Sequence, residues 1–101
     1  MAEFIHKVNK KQVAKFTVPD KLTVRQQLAY LSAVAYPKLD FERFWAGALT
    51  VIQNWESELI PDATTLDLDQ VTDPKVTELM VWTGWQVKVH MDGLEEVPKN
   101  S

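Results

Sequence analysis

Cysteine is absent from this 101-residue chain, which removes disulfides, thiol catalysis and thiolate metal sites together. Glycine is scarce. Gly47, Gly84 and Gly93 are isolated from one another and leave no loop able to cradle a phosphate. The two histidines, His6 and His90, have no His-x-x-x-His spacing. His90 falls on the apolar side of a predicted helix and reads as structural, and His6 reads as a strand residue. Ser32, Ser57 and Ser101 lack a nucleophile-elbow motif. Asp62, Asp67, Asp69 and Asp73 lack the twelve-residue loop, central glycine and closing glutamate of a calcium-binding hand, so they read as solvated linker and helix-cap groups. No catalytic, metal or cofactor residue, and no small-molecule substrate, is therefore expected.

Positive charge is also in short supply. Eleven Lys and Arg against fourteen Asp and Glu give a net charge of −3, the wrong sign for a general nucleic-acid binder that must displace counterions from phosphates. The one dense basic run, Lys7, Lys10, Lys11 and Lys15, reads as a solvated hairpin tip and flank. No stretch approaches the ~18–20 apolar residues of a membrane span, and Met1 to Val8 does not read as a signal peptide. A cytoplasmic protein with no membrane partner is the expectation.

What is present is an ordinary globular composition, 46% hydrophobic and 25% charged, enough for one domain over residues 1–101. Phe4 to Val8 and Val13 to Val18 are β-type runs around the polar Asn9-Lys10-Lys11-Gln12, and predict a hairpin over 3–19 closed by Pro19-Asp20. Thr23 with Gln26 forms a capping-box pattern that opens a first helix, about 24–36, stopped by Pro37. Its expected buried stripe is Val24, Leu28, Leu31 and Ala35. A second helix, about 41–58, carries Phe41, Phe44, Trp45, Ala48, Val51, Ile52, Trp55 and Leu59 on one side. Asp73-Pro74 opens a third helix over about 74–92, with Gly93 as a left-handed cap and 94–101 as a flexible tail. The predicted fold is α+β and mainly helical: an N-terminal β-hairpin followed by three helices.

The third helix has one apolar face too many. Val76, Leu79, Met80, Thr83, Val87 and Met91 make the expected core side, yet Val81, Trp82, Trp85 and Val89 gather opposite. Two readings are open. The hairpin covers this second face, or the face awaits a partner, since exposed aromatics mark interaction sites. Symmetric self-association into a homo-oligomer would satisfy the same residues. The candidate contacts are Val81, Trp82, Trp85 and Val89, with Tyr30 added because it lies off the main stripe of its own helix.

Several segments, in order, carry a resemblance. They are Phe16-Thr17-Val18-Pro19, Leu22-Thr23-Val24-Arg25-Gln26-Gln27-Leu28, the helix from Phe44-Trp45 to Trp55, Thr72-Asp73-Pro74-Lys75-Val76-Thr77 and Val97-Pro98-Lys99-Asn100. This order, which spans most of the chain, is similar to that of the small tail assembly chaperones of long-tailed, siphovirus-like bacteriophages. The likeness is one of pattern and includes no catalytic signature. It implies a non-enzymatic protein of the host bacterial cytoplasm. Such a protein keeps the long helical tape measure protein soluble and recruits tail tube subunits, without remaining in the virion. The resemblance also implies a longer product made by a −1 frameshift, for which Pro98-Lys99-Asn100 is permissive if its codons read A AAA AAC. The alternative function is a structural virion component, such as a head–tail joining or minor tail protein.

Overall fold

The computed structural model describes residues 1–35 and 40–96, with side chains to residue 93. Strands β1 (Ala2–Val8) and β2 (Lys11–Val18) form the expected hairpin. Its loop is only Asn9-Lys10, both at positive φ (53° and 68°), the backbone that a two-residue hairpin needs to match strand twist. Val8 pairs with Lys11 and Lys7 with Gln12, but His6 pairs with Ala14, so Val13 is the extra residue of a bulge. Beyond the bulge Phe4 pairs with Phe16, and their rings stack at 4.9 Å. Ala14, Phe16 and Val18 are buried on the inner face, while Glu3, Ile5 and Lys7 are exposed.

Helix α1 (Val24–Val34) starts on the predicted capping box. Gln26 N–H donates to Thr23 Oγ1 at 3.2 Å, and Thr23 N–H donates to Gln26 Oε1 at 2.9 Å. The helix ends at Val34. Tyr36 and Pro37, the predicted stop, lie outside the described residues. Helix α2 (Phe41–Val51) is capped by Asp40, whose Oδ1 accepts from Arg43 N–H at 3.0 Å.

The predicted helix over 41–58 is too long. Ile52 is already extended, and Gln53–Glu56 forms a third strand, β3, antiparallel to β2 in the order β1-β2-β3. Asn54, inside β3 where the pairing with β2 shifts register, has φ 55°, a left-handed conformation that asparagine tolerates. Its Nδ2 donates to Thr17 Oγ1 at 3.0 Å, and Thr17 Oγ1 donates to the Gln53 carbonyl at 3.2 Å. Trp55 keeps its place in the core from a strand instead of a helix. Its ring faces Phe16 and Trp45, and its indole N–H donates to the Ile60 carbonyl at 2.7 Å.

The connection to the last helix is held by short-range bonds. Ser57 Oγ donates to the Val13 carbonyl at 2.7 Å and accepts from the Leu59 and Ile60 amides, each at 3.1 Å. Asp62, Asp67 and Asp73 each accept from the amide two residues on, the turn and cap roles expected of them. The bonds from the Thr64 hydroxyl and amide hold the Asp62 carboxyl below the usual range.

Helix α3 (Pro74–Glu96) begins at Pro74 as predicted but runs past Gly93. No glycine has positive φ, so Gly93 is an ordinary helical residue. The tail expected over 94–101 is helical to Glu96, and 97–101 lie outside the described residues.

The α+β class is as expected, with three strands instead of two. The sheet lays its inner face on the helices. One cluster joins Phe16, Val18, Tyr30, Ala48, Val51, Val87 and Met91. A second joins Ala14, Trp45, Ile60, Ala63, Val76 and Leu79, and the half-buried Trp55 and Trp82 pack against both. The helices approach closely where glycine allows. A Cβ on Gly47 would lie 2.9 Å from Val34 Cγ1 and 3.2 Å from Tyr30 Cε1. One on Gly84 would lie 2.9 Å from Phe44 Cβ and 3.0 Å from the backbone of Phe44 and Trp45.

That approach settles which way α1 faces, against expectation. Val24, Leu28, Leu31 and Ala35, predicted to be buried, are exposed. Tyr30, with the half-buried Val34, goes inward instead. Gly47 opens a slot on α2 into which the larger tyrosine ring fits, and filling it with the aromatic buries more area than one aliphatic side chain would.

Candidate functional site

The second apolar face of α3 is divided between the two readings that the sequence left open. Trp82 belongs to the fold. Its ring stacks on His6 at 4.6 Å and meets Phe16 edge-on at 5.8 Å, so the hairpin covers it. Tyr30, only 5% exposed, packs in the first core cluster. The structure thus places Tyr30 inside the core and Trp82 half-buried beneath the hairpin, because being off a helix's main stripe does not mean facing water when another element packs on that side. Phe41 is corrected in the opposite direction, since the expected core residue is 61% exposed.

Trp85 and Val89 remain open, each 52% exposed. They join other apolar side chains along the seam between α2 and α3. Phe44 meets the Trp85 ring edge-on at 6.1 Å. One turn back along α3, half-buried Val81 shares a cleft of about 290 Å³ with Phe41, Leu68, Val71 and Met80. Leu68, Val71, Phe41 and Val81 thus line one cleft, and Trp85 and Val89 follow Val81 at four-residue spacing along α3. Sequence patterning signalled the α3 half of this set. Phe41, Leu68 and Val71 carried no such signal, because each fits an amphipathic helix or linker as well.

The rim of the seam is acidic. Glu42 and Asp69 line the cleft. Lys88, the basic residue of this side, has its ammonium 2.6 Å from Asp92 Oδ1 and is neutralised there. Aromatic and aliphatic groups within a polar rim are the anatomy of a protein-binding surface.

A second concavity, about 550 Å³, lies below the hairpin tip between β1, β2 and the start of α3. Lys11 and Lys75 alternate there with Glu58 and Glu78, and His6 is engaged with Trp82. Its charges of both signs form no convergent set. Among the described residues no three His, Asp or Glu side chains are grouped to hold a metal, and no helix is long and apolar enough to cross a membrane.

No family model matches this chain, and comparison with curated proteins and with solved structures gives no match either.

Proposed function

We propose that this protein is a non-enzymatic assembly chaperone of bacteriophage tails, which binds amphipathic helical segments of the tape measure protein along the α2–α3 seam and recruits tail tube subunits in the host cytoplasm. The observation that carries the binding role is the exposure of Phe41, Trp85 and Val89, three large apolar side chains of α2 and α3. A groove of this kind takes the apolar face of a helix through anchors at i, i+3, i+4 and i+7. Large exposed aromatics on a small domain are poorly explained by folding, because burial inside would stabilise the chain by about 1.5–3 kcal/mol for each large apolar side chain. The acidic rim adds selectivity for helices whose polar flank is basic. The phage assignment rests on the resemblance of the ordered segments given above.

Co-expression with the tape measure protein encoded beside it, followed by affinity purification and size-exclusion chromatography, tests this reading. The expected result is a soluble co-eluting complex, with the tape measure protein insoluble when made alone. A tape measure protein that stays insoluble in the presence of this chain contradicts it.

A further inference from the structure

The cleft at the start of α3 has apolar walls and charge of one sign. Phe41, Leu68, Val71 and Val81 wall its volume of about 290 Å³. Its lining also holds two carboxylates, Glu42 and Asp69, and among the described residues no Lys or Arg. Both acids are exposed, and neither is ion-paired among the described residues. Glu42 stands in the first turn of α2, where it suits the helix dipole. Asp69 has no such reason, since its own amide is held by the Asp67 carboxylate. We propose that this cleft is a socket for one arginine side chain of the docked client helix.

Each part of an arginine has its counterpart there. The aliphatic stem packs on Val71 and Val81 while the charged head stays at the open side. The guanidinium plane stacks on Phe41, whose ring is 61% exposed. Its fork of N–H donors turns to Glu42 and Asp69 in charge-assisted bonds. A purely apolar anchor would cover both carboxylates and leave them without a partner. Lysine brings a point charge with neither the stacking plane nor the fork. A metal ion fits worse still: calcium takes roughly six to eight oxygen ligands, and among the described residues no three His, Asp or Glu side chains are grouped.

Val81 precedes Trp85 by four residues, about 6 Å along α3. The arginine therefore belongs one turn from the apolar residue that meets Trp85, at the border of the client's apolar stripe. The socket rests on the seam being the client's docking surface. The two can still fail separately, because the peptides that test the socket contain no tape measure sequence.

Three fluorescein-labelled amphipathic helical peptides, alike except for arginine, lysine or glutamine at that border position, are titrated with the full chain and followed by fluorescence anisotropy. The arginine peptide should bind about tenfold more tightly than the glutamine peptide, and more tightly than the lysine peptide. Glu42→Gln combined with Asp69→Asn should remove the preference with wild-type helical CD. Asp69→Asn alone, outside every helix, serves if the double variant loses its CD signal. Equal affinity for all three peptides overturns the proposal. So does a lysine peptide that matches the arginine peptide, which would mean attraction of charge without a socket. Retention of the preference by the folded double variant, or no binding of any peptide, overturns it too. Co-purification of the tape measure protein alongside any of these contrary results would keep the seam as the docking surface and remove the socket alone.

Discussion

At the scale of single residues, the three glycines play different parts, and alanine substitution separates them. Alanine in a helix interior is worth about 1 kcal/mol over glycine. At Gly84 the new methyl would meet the backbone of Phe44 and Trp45 at 3.0 Å, atoms that move only if α2 and α3 separate. Overpacking of that kind costs about 1–3 kcal/mol and exceeds the propensity gain. Gly84→Ala should therefore lower the midpoint of thermal unfolding, and by more than Gly47→Ala, where the new methyl would meet side chains of Val34 and Tyr30. Among the described residues nothing lies within 4 Å of a Cβ placed on Gly93, and its backbone is helical. Gly93→Ala should raise stability by about 0.5–1 kcal/mol, measured by chemical denaturation. Had Gly93 been the left-handed cap that its position suggests, the same change would destabilise.

At the scale of elements, starts were legible and ends were not. Thr23 with Gln26, Asp40 and Asp73 with Pro74 announce α1, α2 and α3, because a cap needs particular side chains at fixed offsets. The hairpin was legible from alternation, apart from the bulge at Val13, which no residue type signals. The end of α2 was hidden because Trp55 and Leu59 continue the helical spacing while also suiting a strand and a loop. What stops the helix is tertiary: β2 offers a free edge, and Asn54 and Ser57 bond to it. Ser57 alone links three backbone groups of the hairpin and the connection. Ser57→Ala should cost about 1–3 kcal/mol, because it leaves part-buried amides and a carbonyl without their partner. A loss within experimental error in urea denaturation would show that this link contributes nothing to stability.

Half of the candidate site was legible at this scale too. Val81, Trp85 and Val89 stand out on α3 because they break its amphipathic pattern. Trp82 breaks it as well, and only the sheet packing shows that His6 and Phe16 cover it. The stripe of α1 was assigned to the core because a lone helix has no way to show which of two apolar faces a neighbour will choose. Gly47 makes that choice from another element.

At the scale of the whole molecule, the sheet and helices satisfy one core and leave aromatic surface over. The sheet covers one side of α3, α2 a second, and the face holding Trp85 and Val89 has no further element to meet among the described residues. A surplus of this kind is what the proposed chaperone role would need to hold a helical client and release it. The most direct measurement of that claim compares two aspartate variants in co-purification with the tape measure protein. Trp85→Asp lies in the seam, and Ile5→Asp lies on the outer face of β1 and serves as a control. Both positions are exposed, so both variants should keep wild-type helical CD. The account predicts that Trp85→Asp loses the complex, with an affinity loss of about 30-fold or more as for a binding hot spot, while Ile5→Asp retains it. Full retention of the tape measure protein by a folded Trp85→Asp variant would contradict the account and move the binding surface elsewhere.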